Sequence, residues 1–346
     1  MPDSPGSAQD WTEPGAFEVV PGVHRIPLPL RFDALKAVNV YALEDGERLT
    51  LIDAGWALEE ARQVLEDCLG RIGYDLGAVQ RFLVTHVHRD HYTLATVVRR
   101  LFGSRIALGE DERDSLVGVR EAENTGAPVS EISRLFRYGA EDLARRLLEK
   151  GDWDAIDPGL WEDPDEWLSD GMRLPVGART LEAVHTPGHT RGHLVFVDAA
   201  AGLMFSGDHI LPHITPSIGF ERARPDRPLR DYLRSVRLTL RLPDLRMLPA
   251  HGPVAPSVHA RSDELLAHHR RRLDETAATV AQGARTAYDS AKLLTWTRHH
   301  RRFDELNGFN QMLAVSETAA HLDVLADDGR ITMQIADGVT CYAPLD

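Results

Sequence analysis

Between Thr85 and His91 the chain reads Thr-His-Val-His-Arg-Asp-His, directly after the apolar run Phe82-Leu83-Val84. From His86 to His91 that is three imidazoles and one carboxylate. In an extended segment side chains two apart project to the same side, so His86 and His88 can grip one cation. A bend at Arg89 then turns Asp90 and His91 toward a second. A lone histidine in a loop is ordinarily a surface or hydrogen-bonded residue, but this density of ligands at the end of a strand points to metal chemistry.

Three more candidate ligands follow, each in the turn after a strand-like run. Leu181-Glu182-Ala183-Val184 leads into His185-Thr186-Pro187-Gly188-His189, Gly202-Leu203-Met204-Phe205 into Ser206-Gly207-Asp208, and Met247-Leu248 into Pro249-Ala250-His251-Gly252. Glycine and proline beside each polar residue let the backbone turn sharply and present one side chain at a strand end.

In this order, H-x-H-x-D-H, T-P-G-H-T, S-G-D-H and P-x-H-G resemble the metallo-β-lactamase superfamily. The resemblance runs from about residue 17 to about 270 and includes Asn39-Val40-Tyr41 and Leu51-Ile52-Asp53-Ala54-Gly55, which look like the opening hairpin of that fold. It implies an αββα sandwich. It also implies that one metal is held by His86, His88 and His189 and a second by Asp90, His91 and His251, with Asp208 bridging. Such ligands suit two divalent ions, zinc foremost, and accept iron or manganese. Cysteine is absent from these motifs, and Asp208 at the bridge resembles glyoxalase II and related hydrolases. Asp53 resembles the family's buried acid that orients a ligand, although a turn residue capping the next helix is an equal reading. His185 and His193, which flank His189, are expected behind the ligands. His213 is a candidate for reaching substrate, and Trp56 a candidate pocket wall.

Around these motifs the pattern is layered α/β. Val19–Leu30, Val38–Leu43, Leu49–Ile52, Val79–Val84 and Ser104–Leu108 read as strands, with a hairpin turn at Asp45-Gly46; Ala57–Leu69, Tyr92–Phe102 and Leu229–Leu240 read as helices. Residues 1–16 are expected to pack loosely, and 17–256 to form the catalytic domain. Within it, the segment from about 109 to 175 has helical periodicity at Ile132, Leu135, Phe136, Leu143, Leu147 and Leu148, followed by Trp153, Trp161 and Trp167. It is expected to form a helical lid whose apolar residues shape the substrate pocket.

Residues 257–346 read as a helical linker and a small winged-helix-like module. The phrase from Glu317 to Ile331 resembles domains appended to one branch of the superfamily, a branch that includes an endoribonuclease. This stretch holds ten Lys and Arg against thirteen Asp and Glu, and only Arg298–Arg302 is locally basic. A phosphate-binding module needs a basic face, so nucleic acid is not the expected partner. Support of the cleft or a homodimer contact is expected instead.

A net charge of −14 points the same way. Two cysteines, Cys68 and Cys341, imply no disulfide framework. The first residues lack a basic, apolar leader, and no stretch is long enough to span a membrane, so a cytoplasmic enzyme is expected. Water shared by two cations is acidified toward neutrality, and Asp90 and Asp208 would orient the resulting hydroxide for attack on an acyl carbonyl. The expected activity is hydrolysis of a small acyl substrate: a thioester, ester, lactone or β-lactam. The alternatives are a metal-dependent endoribonuclease or phosphodiesterase, and an iron-dependent oxidoreductase resembling persulfide dioxygenases.

Overall fold

A computed structural model of the chain describes residues 10–31, 35–121, 129–149, 157–297 and 300–345. The first half lays down β1 (Phe17–Val20), β2 (Val23–Pro29), β3 (Ala37–Asp45), β4 (Arg48–Ile52), α1 (Glu59–Arg71), β5 (Val79–Leu83), α2 (Arg89–Phe102) and β6 (Arg105–Gly109). After β6 come α3 (Arg113–Glu121), α4 (Val129–Arg137), α5 (Glu141–Glu149) and β7 (Glu166–Leu168). The second half supplies β8 (Arg173–Val176), β9 (Arg179–His185), β10 (Leu194–Asp198), β11 (Leu203–Gly207), α6 (Pro228–Thr239) and β12 (Arg246–Pro249). It ends with α7 (Val258–Ala281), α8 (Ala287–Leu293), α9 (Gly308–Asp327) and the antiparallel hairpin of β13 (Ile331–Ala336) and β14 (Val339–Pro344).

Strands β1 to β7 form one sheet in chain order, and β12-β11-β10-β9-β8 form the other. The first sheet begins as an antiparallel meander, then turns parallel at β4 and β5. Parallel neighbours need a crossover, which is why α1 and α2 occur where they do. Tyr41, Leu43, Ile52 and Leu83 of the first sheet meet Phe196, Phe205 and Leu248 of the second in a buried layer. On the outer face of the first sheet lie Leu65 and Leu69 of α1 and Tyr92, Leu94 and Val98 of α2. On the outer face of the second, Met204 and Met247 pack against Val258 and Leu265 of α7. The result is helix, sheet, sheet, helix, with ligand-bearing turns after β5, β9, β11 and β12.

The insertion departs from expectation. Ile132 and Leu135 of α4 and Leu143 and Leu147 of α5 are buried with Ala291 of α8 and Met312, Val315 and Leu322 of α9. A nine-residue helix has one apolar stripe, and here that stripe covers α9, whose own surface is buried on most sides. These residues therefore do not shape a substrate pocket, while Phe136 and Leu148 face outward. Trp161 is buried and donates its indole N–H to the Val87 carbonyl at 3.1 Å, so it pins the insertion to the ligand-bearing turn. Trp167 packs half-buried on the first core, with the Arg113 guanidinium 4.2 Å from its ring centroid. Trp153, Arg298, His299 and residues 1–9 lie outside the described residues. Among the described residues no helix is long and apolar enough to cross a membrane.

Candidate metal centre

Strand β5 ends at Leu83, and a short segment that bends at Thr85 and His88 carries His86 and His88 to the start of α2 at Arg89, with Asp90 in its first turn. A carboxylate there is favoured by the helix dipole. Turns after β9, β11 and β12 bring His189, Asp208 and His251 to the same place. His86 Nε2 lies 3.0 Å from His88 Nδ1, which lies 3.1 Å from His189 Nε2. Three nitrogens around a zinc ion at about 2.0–2.1 Å would stand on the order of 3.3 Å apart, so the spacing suits one cation. The second group has Asp90 Oδ2 3.5 Å from His91 Nε2 and 3.4 Å from His251 Nε2.

Asp208 stands between the two groups. Its Oδ2 is 3.4 Å from His189 Nε2, while its Oδ1 is 3.3 Å from His251 Nε2 and 3.7 Å from His91 Nε2. Burial leaves Asp208 Oδ1, His91 Nε2 and His251 Nε2 without any hydrogen-bond partner. Orphaned buried polar atoms are costly. Three that converge on one point, in a set of nitrogens and carboxylate oxygens, have the chemistry of a cation site.

The supports behind the ligands fix which nitrogen faces inward. His91 Nδ1–H donates to Asp53 Oδ2 at 2.9 Å, His189 Nδ1–H to the Ser217 carbonyl at 2.9 Å, and His251 Nδ1–H to the Ala37 carbonyl at 2.8 Å. The Thr85 hydroxyl donates to Asp53, leaving its oxygen to accept from His86 Nδ1–H at 3.0 Å. In the neutral form of each ring the inner Nε2 is then the atom with the free lone pair, the form a metal needs. Asp53 is buried at a left-handed φ of 58° and also accepts the Thr85 backbone N–H at 2.8 Å. It acts from behind the ligands, rather than as a helix cap.

His193 supports Asp208: its Nε2 accepts the Asp208 backbone N–H at 3.1 Å, and its Nδ1–H donates to Thr186 Oγ1 at 2.9 Å. This close approach needs Gly207, where an added Cβ would stand 2.7 Å from His193 Nε2. His185 takes no such part, contrary to expectation. Its ring bonds the Arg191 carbonyl at 2.9 Å and faces Asp111 near the surface, because the end of β9 turns it away from the cleft side. His213 is exposed on the loop after Asp208. Trp56 is half-buried with the Arg89 guanidinium 3.9 Å from its ring centroid. Sequence reading missed the Ala37 and Ser217 carbonyls, since a backbone acceptor carries no side-chain signal.

The two groups differ electrically. Burial, then the neighbouring imidazoles, hold His86 well below the ordinary histidine range, and burial and His189 push His88 down to about 3. Burial alone would lower His91, but Asp90, Asp53 and Asp208 outweigh it and raise it to about 10. Burial likewise acts to raise Asp90, yet His91, His251 and His88 hold its carboxyl far below the usual carboxylate range. The first group is thus a cluster of neutral donors, and the second pairs ionised carboxylates with imidazoles whose protonated form they favour.

Such a centre in an αββα sandwich defines a class of metal-dependent hydrolases. Residues 34–251 match the family model described as Metallo-beta-lactamase superfamily, and the chain belongs to that superfamily. It is similar to a probable metallo-hydrolase of Bacillus subtilis (strain 168), at 26% identity over 92% of this chain and 95% of that protein. It is also similar to an atrochrysone carboxyl ACP thioesterase of Aspergillus fumigatus, at 25% identity over 72% of this chain but only 45% of the thioesterase's length. Among solved structures, a metallo-beta-lactamase family protein of Thermus thermophilus superposes with a TM-score of 0.76, 27% identity, and coverage of 95% of this chain and 100% of that one. The chain is a hydrolase.

Proposed function

We propose that the chain is a dinuclear-metal hydrolase of a small acyl substrate, with thioesters and esters ahead of lactones and β-lactams. The observation that carries this reading is the division of Asp208, one oxygen toward each donor group. His86, His88 and His189 would hold one ion and Asp90, His91 and His251 the other. Bound there, two divalent ions would supply an acidified water and polarise the scissile carbonyl. Asp90 and Asp208, kept ionised by the imidazoles around them, accept hydrogen bonds from an entering water and orient it. The supporting bonds from Asp53, Ser217 and Ala37 keep the imidazoles from turning as substrate enters. Trp56, with Arg89 against its face, is the proposed wall for the acyl or leaving group.

A cytoplasmic setting favours thioesters, and a thioesterase among the relatives supports the same ordering. Asp208→Ala is expected to lose both metals on dialysis and to abolish turnover of acyl thioesters. Full metal content with full turnover in that variant would overturn the bridging role. Cleavage of RNA with every acyl compound left intact would overturn the substrate class.

A further inference from the structure

Behind the three imidazoles of the first donor group lies a second set of buried acids that the chemistry above does not use. Glu112, in the turn between β6 and α3, has no solvent exposure. Its carboxyl accepts a hydrogen bond from Thr190 Oγ1, one residue past His189. The same carboxyl faces the backbone amide of Val87, the residue between His86 and His88. Every ligand of the first group is thus one residue from a Glu112 contact. Glu221 is buried beside it, accepting from Ser115 Oγ at 2.5 Å and from the Arg191 backbone N–H at 3.0 Å. The turn of Glu112 and the loop of His189 touch main chain to main chain: a Cβ at Gly192 would stand 2.3 Å from the Glu112 nitrogen.

We propose that Glu112 is a positioning residue that ties the segment carrying His86 and His88 to the loop carrying His189 and so sets the span of the first metal group. Glu221 braces the same loop at Arg191. The second group is held separately, His91 by Asp53 and His251 by the Ala37 carbonyl. Burial, then the nearby Glu221, pushes Glu112 above the usual carboxylate range, so the clamp adds little negative charge behind the neutral imidazoles. This inference rests on the two-metal reading.

The test is stepwise removal of metal from the loaded full-length protein by a competing chelator, with stoichiometry read by elemental analysis. Glu112→Ala is expected to release one equivalent about 10- to 100-fold more readily than wild type, the other being unchanged. Thr190→Val replaces the hydroxyl by a methyl and should shift the same equivalent in the same direction, while the metal-free chain melts at a lower midpoint because Glu112 loses a donor. If both variants retain both equivalents as wild type does, or Thr190→Val loosens both equally, the clamp is refuted while the two-metal reading stands. A wild-type chain that holds no metal would overturn both.

Discussion

Replacing Asp53 by Asn isolates the control of one ligand's tautomer. Asn tolerates the left-handed backbone at this position nearly as well as Asp, so the turn should persist. The carboxylate accepts from both the Thr85 N–H and His91 Nδ1–H, whereas an amide has one accepting oxygen and one donating nitrogen. With the oxygen retained by Thr85, the amide N–H must donate to His91 Nδ1. The ring proton then moves to Nε2, the atom that faces Asp90, Asp208 and the proposed second metal. With the amide turned the other way, two donors collide at Thr85 in a fully buried site. Either outcome weakens the second metal by about 10- to 100-fold, or about 1.4–2.8 kcal/mol. The first metal, held by His86, His88 and His189, should be less affected. Equilibrium dialysis against a metal buffer measures both. An Asp53→Asn protein that binds two equivalents with wild-type affinity would refute the tautomer argument.

Leu135→Ala should cost about 2–5 kcal/mol in urea unfolding, because the side chain is fully buried between the insertion and α9, yet leave KM unchanged. A raised KM with little loss of stability would restore a pocket-shaping role to that helix. His321→Ala should retain metal and nearly all turnover while losing about 1–3 kcal/mol, since His269 Nδ1–H, 3.2 Å away, would lose its acceptor. Burial pushes His321 down to about 3, so between pH 6.5 and 3 the unfolded chain binds a proton that the folded chain refuses. Its contribution is complete above pH 6.5 and is lost as pH falls through that window; in the metal-free chain, His321→Ala should flatten the slope by up to about 1.4 kcal/mol per pH unit. An unchanged slope would show that His321 is not buried in its neutral form.

The candidate ligands were legible in the sequence because their determinants are local. Two residues apart in extended chain means one side, and a glycine or proline turn after an apolar run means an exposed strand end. Those rules mark the four motifs without knowing the path of the chain, and the resemblance to the superfamily selects His86, His88, Asp90, His91, His189, Asp208 and His251 within them. Asp53 and His185 looked alike as supporting residues, and only the turn at the end of each strand separates the one behind His91 from the one facing Asp111. The fate of the insertion was likewise undetermined. Helical periodicity announces an apolar face, but which surface covers it depends on contacts more than 150 residues away, between Leu135 and the helix from Gly308 to Asp327. The division of Asp208 between two donor groups belongs to the tertiary structure for the same reason: the turns that bring His189 and His251 to its two oxygens converge only when both sheets close on their shared core.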